Sequence, residues 1–389
     1  MTERLYYNDP YLTTFTAEVA GASADGRVVI LNRTAFYPSS GGQPFDLGTL
    51  GGAVVTAVEE HEDGRIAHLL ASPLEGRFVQ GVIDWDRRHD HMQQHTGQHL
   101  LSAVLEELFS IHTLSFHMGE ETSTIEIGAA SLTPAQITAV ERRVHAVIWE
   151  GRPVQVTYEK ASEASGLRKA SQREGTLRIV SIEGLDRSAC GGTHVRSTSA
   201  IGAVQIRKLD RIRGNVRLEF LCGARALDRA RADFEALSAI ARAFSCPIGQ
   251  APELVAALQS RAADLDRSRR KLALELAAFQ GRQLYENTAP SPDGMRRAVS
   301  RFPSGAISEE TRALAQSFVS GARALFAAVS EDPPSILFAA SPDSGIHAGE
   351  VLKRAVSAAG GRGGGNAQLA QGSLPGREAL EFLLPRLLG

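Results

Sequence analysis

Four side chains that bind metal ions stand in two short, widely separated motifs of this sequence. The first motif is HTGQHLL, in which His95 and His99 are four residues apart at the start of an apolar run with helical spacing. Residues with this spacing lie one turn apart on one face of a helix. The second is ACGGTHV, in which a Gly-Gly pair allows a tight turn between Cys190 and His194. Three imidazoles and one thiolate are typical zinc ligands, so the motifs predict one Zn²⁺ per chain.

The same residues limit the chemistry. The histidine spacing resembles the His-Glu-x-x-His pattern of metallopeptidases, but Thr96 occupies the position of the general-base glutamate, which argues against a peptidase. Four protein ligands close a tetrahedron, as in structural zinc sites, whereas hydrolytic zinc usually keeps a position for water. The residues alone therefore favour a structural zinc over a catalytic one, while leaving both possible. No acidic residue beside the ligands is an obvious general base, and none is assigned.

Length and composition narrow the class of protein. A chain of 389 residues is expected to form two to four domains. Its content of 43% hydrophobic and 22% charged residues is typical of a soluble globular protein. The chain has no apolar run of about 20 residues, no signal sequence and an odd number of cysteines, which predicts a cytoplasmic protein without membrane contact. The net charge of -2 argues against a nucleic-acid coat but allows a local basic face.

The pattern of helices and strands predicts a multidomain α+β chain. Short apolar segments between Gly-rich turns predict a small β-barrel over residues 1–88. Long helices mixed with antiparallel strands predict an α+β zinc-binding domain over 89–223. Apolar residues at heptad-like spacing predict an antiparallel helical hairpin and linker over 224–290, whose apolar stripe would also suit a dimer. Alternating helices and strands predict a small α/β domain over 291–389.

The sequence also predicts the ends of several helices. Asp90 is the expected N-cap of the helix that carries the first ligand motif, and His91 beside it is expected to face solvent. Thr133 is expected to cap a later helix that has proline at its first position. Helices are predicted over residues 134–150, 162–171 and 308–329.

The ligand motifs closely resemble the editing domain that alanyl-tRNA synthetases share with free-standing alanyl-tRNA editing proteins. The segment FYPSSGGQPFDLG resembles a Gly-rich segment of that family, with Ser40 where many members have a third glycine. The glycine cluster over 360–372 resembles the signature of the DHHA1 domain. The resemblance covers nearly the whole chain and implies an aminoacyl-tRNA hydrolase with the metal in its editing pocket.

The implied substrate is tRNA(Ala) that carries serine, or glycine, by mistake, and the implied reaction is hydrolysis of the ester at the terminal adenosine. A pocket that hydrogen-bonds the serine hydroxyl can reject alanine, which leaves buried polar groups unpaired. The Gly-rich segment is either a tight barrel turn or a loop beside the adenosine. The candidate substrate-binding residues are Thr96, Ser115, Thr124, Thr193, Gly41, Gly42 and Gln43.

In the family, the C-terminal domain is associated with tRNA contact and dimer formation. A homodimer through the helical hairpin or the C-terminal domain is therefore a candidate assembly. A basic strand pair and the glycine cluster are the expected tRNA contacts. The candidate tRNA-binding residues are Arg207, Lys208, Arg211, Arg213, Arg217, Gly363, Gly364 and Gly365.

Two other functions are alternatives to hydrolysis for this sequence. One is a non-catalytic tRNA-binding protein whose zinc is structural. The other is a DHH-type phosphoesterase, which the absence of an Asp-rich metal cluster in the N-terminal half argues against. The chain begins at the predicted barrel and has no GxxxxGK[ST] phosphate-binding loop, so no aminoacylation activity is expected.

Overall fold

The computed structural model describes residues 1–171 and 174–389 of the chain. These residues form two compact units, Met1–Ala239 and Ile240–Gly389. Both units combine helices with largely antiparallel sheets, which confirms the predicted multidomain α+β class. In the described part of the chain, no helix is long and apolar enough to cross a membrane.

The first unit begins with a closed barrel. Its elements are β1 (Glu3–Arg4), α1 (Leu5–Asn8), β2 (Thr14–Ala22), β3 (Val28–Leu31), β4 (Arg33–Thr34), β5 (Gly48–Leu50), β6 (Ala53–Glu60), β7 (Ile66–Leu70) and β8 (Phe78–Ile83). Strands β2, β3, β7, β6, β5 and β8 close in that order into the predicted barrel, while β1 and β4 form a separate parallel pair. Alternate side chains along the barrel strands, including Phe15, Leu31 and Val55, fill the interior.

Helix α2 (Trp85–Phe109) carries the first ligand motif and is buried along most of its length. It begins after Asp84, whose carboxylate accepts a hydrogen bond from a first-turn N–H group. The prediction that Asp90 caps this helix is wrong, because Asp90 lies inside it and pairs with Arg225. The prediction that His91 faces solvent is also wrong. Its side chain is buried, and burial lowers its pKa to about 3, so the imidazole is neutral.

Two sheets and a second long helix complete the fold around α2. Their elements are β9 (Thr113–Met118), β10 (Ser123–Ile127), α3 (Pro134–Glu150), β11 (Val154–Lys160), β12 (Thr176–Ile182), β13 (Asp186–Ala189), β14 (Val204–Ile212) and β15 (Asn215–Cys222). One sheet has the order β14-β15-β10-β9 and the other the order β11-β12-β13. Helix α3 is the helix predicted over 134–150, and Thr133 caps it in a capping box with Gln136.

Residues 162–171 are not helical, contrary to the prediction. The backbone N–H of Arg168 donates to the carbonyl of Arg187 at 2.8 Å. Its guanidinium donates to Asp186 at 2.8 Å and to Ser188 at 3.1 Å. These contacts with β13 and its neighbours hold the segment in an irregular path and override its weak local preference for a helix.

Two long helices follow, α4 (Gly223–Ala243) and α5 (Ala251–Asn287), as the heptad-like spacing predicts. The apolar residues at seven-residue intervals along α5 are largely exposed, with Leu258 at 54%, Leu265 at 70% and Leu272 at 63%. The single chain therefore does not bury this apolar stripe. A dimer formed through it stays a prediction.

The second unit ends in a mixed sheet with helices packed against it. Its elements are β16 (Arg296–Phe302), α6 (Glu309–Phe318), β17 (Ala324–Glu331), β18 (Pro334–Ala340), α7 (Ala348–Ala358), β19 (Arg362–Gly365), β20 (Leu369–Ser373) and α8 (Arg377–Leu388). The strand order is β16-β17-β18-β20-β19. The helix predicted over 308–329 is wrong beyond Phe318, because β17 is a buried strand that pairs with β16 and β18.

The glycine cluster forms a hairpin at the edge of this sheet. Gly363, Gly364 and Gly365 lie on β19 and pair with β20. A Cβ atom on Gly365 would stand 2.2 Å from the carbonyl oxygen of Leu369, so the close approach of the two strands requires glycine there. Strand packing therefore accounts for the glycine at this position, and a role of the cluster in tRNA binding stays a prediction.

Candidate metal centre

The two predicted ligand motifs meet in the first unit. The ligand atoms of His95, His99, Cys190 and His194 all lie within 4.8 Å of one another. Cys190 Sγ is 3.4 Å from His95 Nε2 and 3.3 Å from His194 Nε2. Such separations are those between the corners of a tetrahedron whose metal–ligand bonds measure about 2.0–2.3 Å. The donor atoms and their spacing therefore fit a single zinc ion.

The backbone fixes each half of the cluster. Helix α2 supplies one half, and the loop that follows β13 supplies the other. Arg178 holds this loop, because its Nη1 donates to the carbonyls of Cys190 at 2.7 Å and Gly192 at 3.0 Å. A Cβ atom on Gly192 would stand 2.2 Å from His95 Cε1. The second glycine of the Gly-Gly pair is therefore needed for the loop to approach the helix.

Each ligand histidine has a partner at its Nδ1 atom. His95 Nδ1 donates to Gln43 Oε1 at 2.8 Å, and His99 Nδ1 donates to Asp186 Oδ2 at 2.9 Å. Beside the third ligand histidine, Thr96 Oγ1 lies 3.2 Å from Nδ1. Because Nδ1 is engaged, Nε2 of each ring is left to face the common centre. Hydrogen bonds of this kind fix the orientation of histidine rings in metal sites.

The charges in the cluster suit a metal ion. Burial raises the pKa of the Cys190 thiol, but His95 and His194 lower it by more than burial raises it. The pKa therefore lies well below its usual range, which favours the thiolate. Burial lowers the pKa of His194 to about 3, which makes this imidazole neutral at pH 7. Burial also lowers the pKa of His99, but Asp186 and Cys190 raise it to about 9. A metal ion must therefore displace a proton from His99.

If the cluster holds Zn²⁺, we expect Asp186→Asn to weaken the binding of added Zn²⁺ by about 10- to 100-fold, the usual effect of removing a group that orients a ligand. The change removes the negative charge that holds His99 and leaves Arg168 without its carboxylate partner. Competition with a chromophoric chelator measures the affinity. Asp210→Asn is the control, because that carboxylate pairs with Lys208 on β14, which carries none of the four candidate ligands. Equal affinities for the two variants would contradict the orienting role.

A cavity of about 590 Å³ opens onto the cluster. Three of the ligands, His95, His99 and Cys190, line it, whereas His194 lines a separate recess beside Arg178 and Arg196. A molecule in the cavity can therefore reach three of the four ligands. Other residues of the cavity wall include Tyr7, Tyr37, Gly41, Gln98, Thr113, Ser115, Phe116 and Lys169.

The candidate substrate-binding residues divide between the cavity wall and a layer behind the ligands. Ser115 and Gly41 line the cavity. Gln43, Thr96 and Thr193 are buried, and Gln43 Nε2 donates to Thr193 Oγ1 at 2.8 Å. These three side chains support the ligand histidines and each other. Their contact with substrate stays a prediction.

Gly42 and Thr124 also lie off the cavity wall. A Cβ atom on Gly42 would stand 2.7 Å from a carbonyl oxygen of β9, so this glycine lets the barrel loop dock on that strand. Thr124 lies on β10 opposite Glu219 of β15. Gln98 also lines the cavity and was not among the predicted site residues, although its place inside HTGQHLL, one residue before a ligand, is a usable signal. Asp186, the partner of His99, was not predicted either, and the sequence offers no local signal for it.

The basic strand pair retains only part of its charge for an external partner. Arg207 pairs with a carboxylate of α4 at 2.6 Å, and Lys208 pairs with a carboxylate of its own strand at 2.9 Å. Arg211 and Arg213 form no ion pair with any residue that the structure describes. The turn between β14 and β15 places Arg213 in the left-handed region, at φ 49°. Arg217 of β15 is also exposed and likewise has no ion pair with a described residue. Arg211, Arg213 and Arg217 are therefore the remaining candidates for tRNA contact on this surface.

Two family models match the chain. The model described as the second additional domain of threonyl and alanyl tRNA synthetases matches residues 177–218, which include the Cys190 loop, and the DHHA1 domain matches residues 295–388. These domains, joined to the barrel and the His/Cys cluster, define a class of proteins related to alanyl-tRNA synthetases.

Individual proteins similar to this chain define the family within this class. The alanyl-tRNA editing protein AlaX-L of Pyrococcus horikoshii is 29% identical over 100% of this chain and 98% of its own length. The alanyl-tRNA editing protein Aarsd1 of Mus musculus is 31% identical over 73% of this chain and 74% of its own. The alanine–tRNA ligase of Pyrococcus abyssi is 28% identical over 99% of this chain but only 44% of its own length. The chain belongs to the alanyl-tRNA editing protein family.

Proposed function

We propose that this chain hydrolyses the ester of mischarged tRNA(Ala), with Ser-tRNA(Ala) as the main substrate and Gly-tRNA(Ala) as a second. We further propose that His95, His99, Cys190 and His194 hold one Zn²⁺ for this reaction. The strongest support is the cavity that reaches three of the four candidate ligands. A zinc ion that only staples a fold is closed off by its own four ligands. Relatives that match this chain are named for alanyl-tRNA editing, which supports the choice of tRNA(Ala).

The chain's own residues bind and orient the aminoacyl ester in this cavity. When bound, the zinc ion supplies a Lewis acid that polarises and orients the ester carbonyl. Gln43 and Asp186 hold two of the ligand rings by their Nδ1 atoms, so the site is organised before the substrate arrives. Phe116 lines the wall and is partly exposed, so its ring can stack on the terminal adenine.

A deacylation assay with three charged tRNAs tests the proposal. We expect hydrolysis of Ser-tRNA(Ala) and Gly-tRNA(Ala), with serine preferred over alanine by a factor on the order of 10⁴. Removal of zinc by a chelator is expected to abolish the activity, and its return to restore it. Equal rates on Ser-tRNA(Ala) and Ala-tRNA(Ala) would discard the editing function. Activity that survives complete zinc removal would discard the role of the metal.

We also propose that residues 1–88 and 89–223 form the hydrolytic part of the chain and that 291–389 contributes tRNA contacts. Arg211 and Arg213 then contact the tRNA backbone, because their charges are not neutralised within the described chain. Replacing both with glutamate is expected to raise KM for charged tRNA while leaving kcat unchanged. The difference in KM between the variant and the wild type should diminish at high salt.

We propose that the exposed stripe of α5 is a homodimer interface. Leu258, Leu265 and Leu272 recur at heptad intervals and are more than half exposed in the single chain. Light scattering is expected to give the mass of a dimer for the wild type and of a monomer for Leu265→Glu. A monomeric wild type would discard this interface.

A further inference from the structure

One buried polar side chain of the cavity wall has incomplete hydrogen bonding. Gln98 lies on α2 between two of the candidate ligands, lines the cavity and is 5% exposed. Its Nε2 donates to Ser102 Oγ at 2.8 Å. Its Oε1 accepts no hydrogen bond from any residue that the structure describes, and it is not sealed within the protein. The cavity therefore presents one fixed amide oxygen that lacks a donor.

The surroundings of Gln98 hold its amide in this orientation. Ser102, its partner, is 1% exposed and sits one helical turn further along α2. Ser102 Oγ also accepts a hydrogen bond from Thr113 Oγ1 at 2.7 Å, which ties α2 to β9 at the cavity wall. The amide is thus anchored at its nitrogen end and open at its oxygen end. An acceptor that is already held in place loses little conformational entropy when the correct donor binds.

Two hydroxyl-bearing residues of the wall, Thr113 and Ser115, are less suited than Gln98 to recognise a small substrate group. Thr113 uses its hydroxyl on Ser102. Ser115 is exposed, so water can replace any hydrogen bond that a wrong substrate fails to make. Strong discrimination requires a buried group that is left unpaired by the wrong substrate. Among these residues, Gln98 best meets that requirement.

We propose that Gln98 selects serine, because its Oε1 accepts a hydrogen bond from the seryl hydroxyl of mischarged tRNA. This assignment rests on the proposed hydrolase function and specifies how its pocket distinguishes substrates. An alanyl group places a methyl group near Oε1 and leaves it without a donor. A glycyl group leaves space in which a water molecule can reach the same oxygen, so glycine escapes the penalty that alanine meets.

The test replaces Gln98 with methionine, which has a similar length but no amide. We expect kcat/KM for Ser-tRNA(Ala) to fall by about 10- to 100-fold and that for Gly-tRNA(Ala) to stay unchanged. Zinc content is expected to equal that of the wild type. Calorimetry with non-hydrolysable amide analogues of 3′-seryl- and 3′-alanyl-adenosine gives a second readout. The wild type should prefer the seryl analogue, and Gln98→Met should bind both alike.

Two further variants separate selection from stability. Gln80→Met removes an exposed amide on the barrel and is expected to leave the serine preference unchanged. Ser102→Ala keeps the amide of Gln98 but removes its anchor, so it should reduce the preference in part. Equal losses on the seryl and glycyl substrates, or an unchanged preference in Gln98→Met, would overturn the assignment and leave the hydrolase intact. A wild type inactive on every charged tRNA would overturn the proposed function itself.

Discussion

An Asp46→Ala protein is expected to lose about 3–5 kcal/mol of unfolding free energy, because the change leaves a buried charge without its partner. Asp46 and Arg88 are both fully buried, and Arg88 Nε lies 3.0 and 3.1 Å from the two carboxylate oxygens. Arg88 also donates to the carbonyls of Pro10 at 2.8 Å and Ala35 at 2.6 Å. This network ties the Gly-rich barrel segment to α2, so the position of that segment depends on it.

Denaturant unfolding followed by tryptophan fluorescence measures this loss. Both tryptophans, Trp85 and Trp149, belong to the first unit, so the signal reports the unit that contains the pair. A chelator in the buffer keeps bound metal from adding stability. Glu107→Ala is the matched control, because its pair with Arg143 is partly exposed and should contribute less than about 1 kcal/mol. Equal losses for the two variants would contradict the importance of burial.

The ligand motifs are the part of the site that the sequence could locate, because local geometry determines each of them. Two histidines four apart on an apolar-periodic segment share a helix face wherever the helix forms. A Gly-Gly pair between cysteine and histidine permits a turn. No local pattern specifies that the two halves meet across 95 residues of chain between His95 and Cys190. The donor set predicted that the two halves meet, because three imidazoles and one thiolate are typical ligands of a single zinc ion.

The residues that orient the ligands could not be identified in the same way. Gln43 is 52 residues from His95, and Asp186 is 87 residues from His99. A polar residue in a Gly-rich loop suggests contact with a ligand, and an aspartate at a strand start suggests nothing in particular. Their contacts depend on how the barrel loop and β13 pack against α2, which is a tertiary property.

The wrong helix assignment in the second unit has a different physical cause. Residues 308–329 are rich in alanine and leucine, which favour helices. A strand buried on both faces lacks the alternation of apolar and polar residues by which strands are recognised in a sequence. The structure ends α6 at Phe318 and places Arg323 in the left-handed region, at φ 54°, immediately before β17. Burial of β17 on both faces, not local propensity, decides the conformation there.

A Cys190→Ala protein is expected to lose its zinc and more than about 100-fold of kcat/KM for Ser-tRNA(Ala), since a direct ligand should matter more than an orienting group. The fold is expected to persist. The core of the first unit packs around residues such as Leu100, Val144 and Phe220, and Cys190 lies instead at the cavity wall. Metal analysis, the deacylation assay and thermal unfolding of the same preparation measure the three properties together.

The outcome decides between a metal that takes part in hydrolysis and one that only staples the domain. Cys246→Ala is the matched control, because this cysteine has intermediate exposure in the second unit and lies outside the cluster. Unfolding of Cys190→Ala but not Cys246→Ala would favour a structural zinc. A folded, zinc-free Cys190→Ala protein that still deacylates Ser-tRNA(Ala) at the wild-type rate would remove the metal from the reaction. Loss of hydrolysis with the fold retained is the result that a zinc ion exposed to the cavity requires.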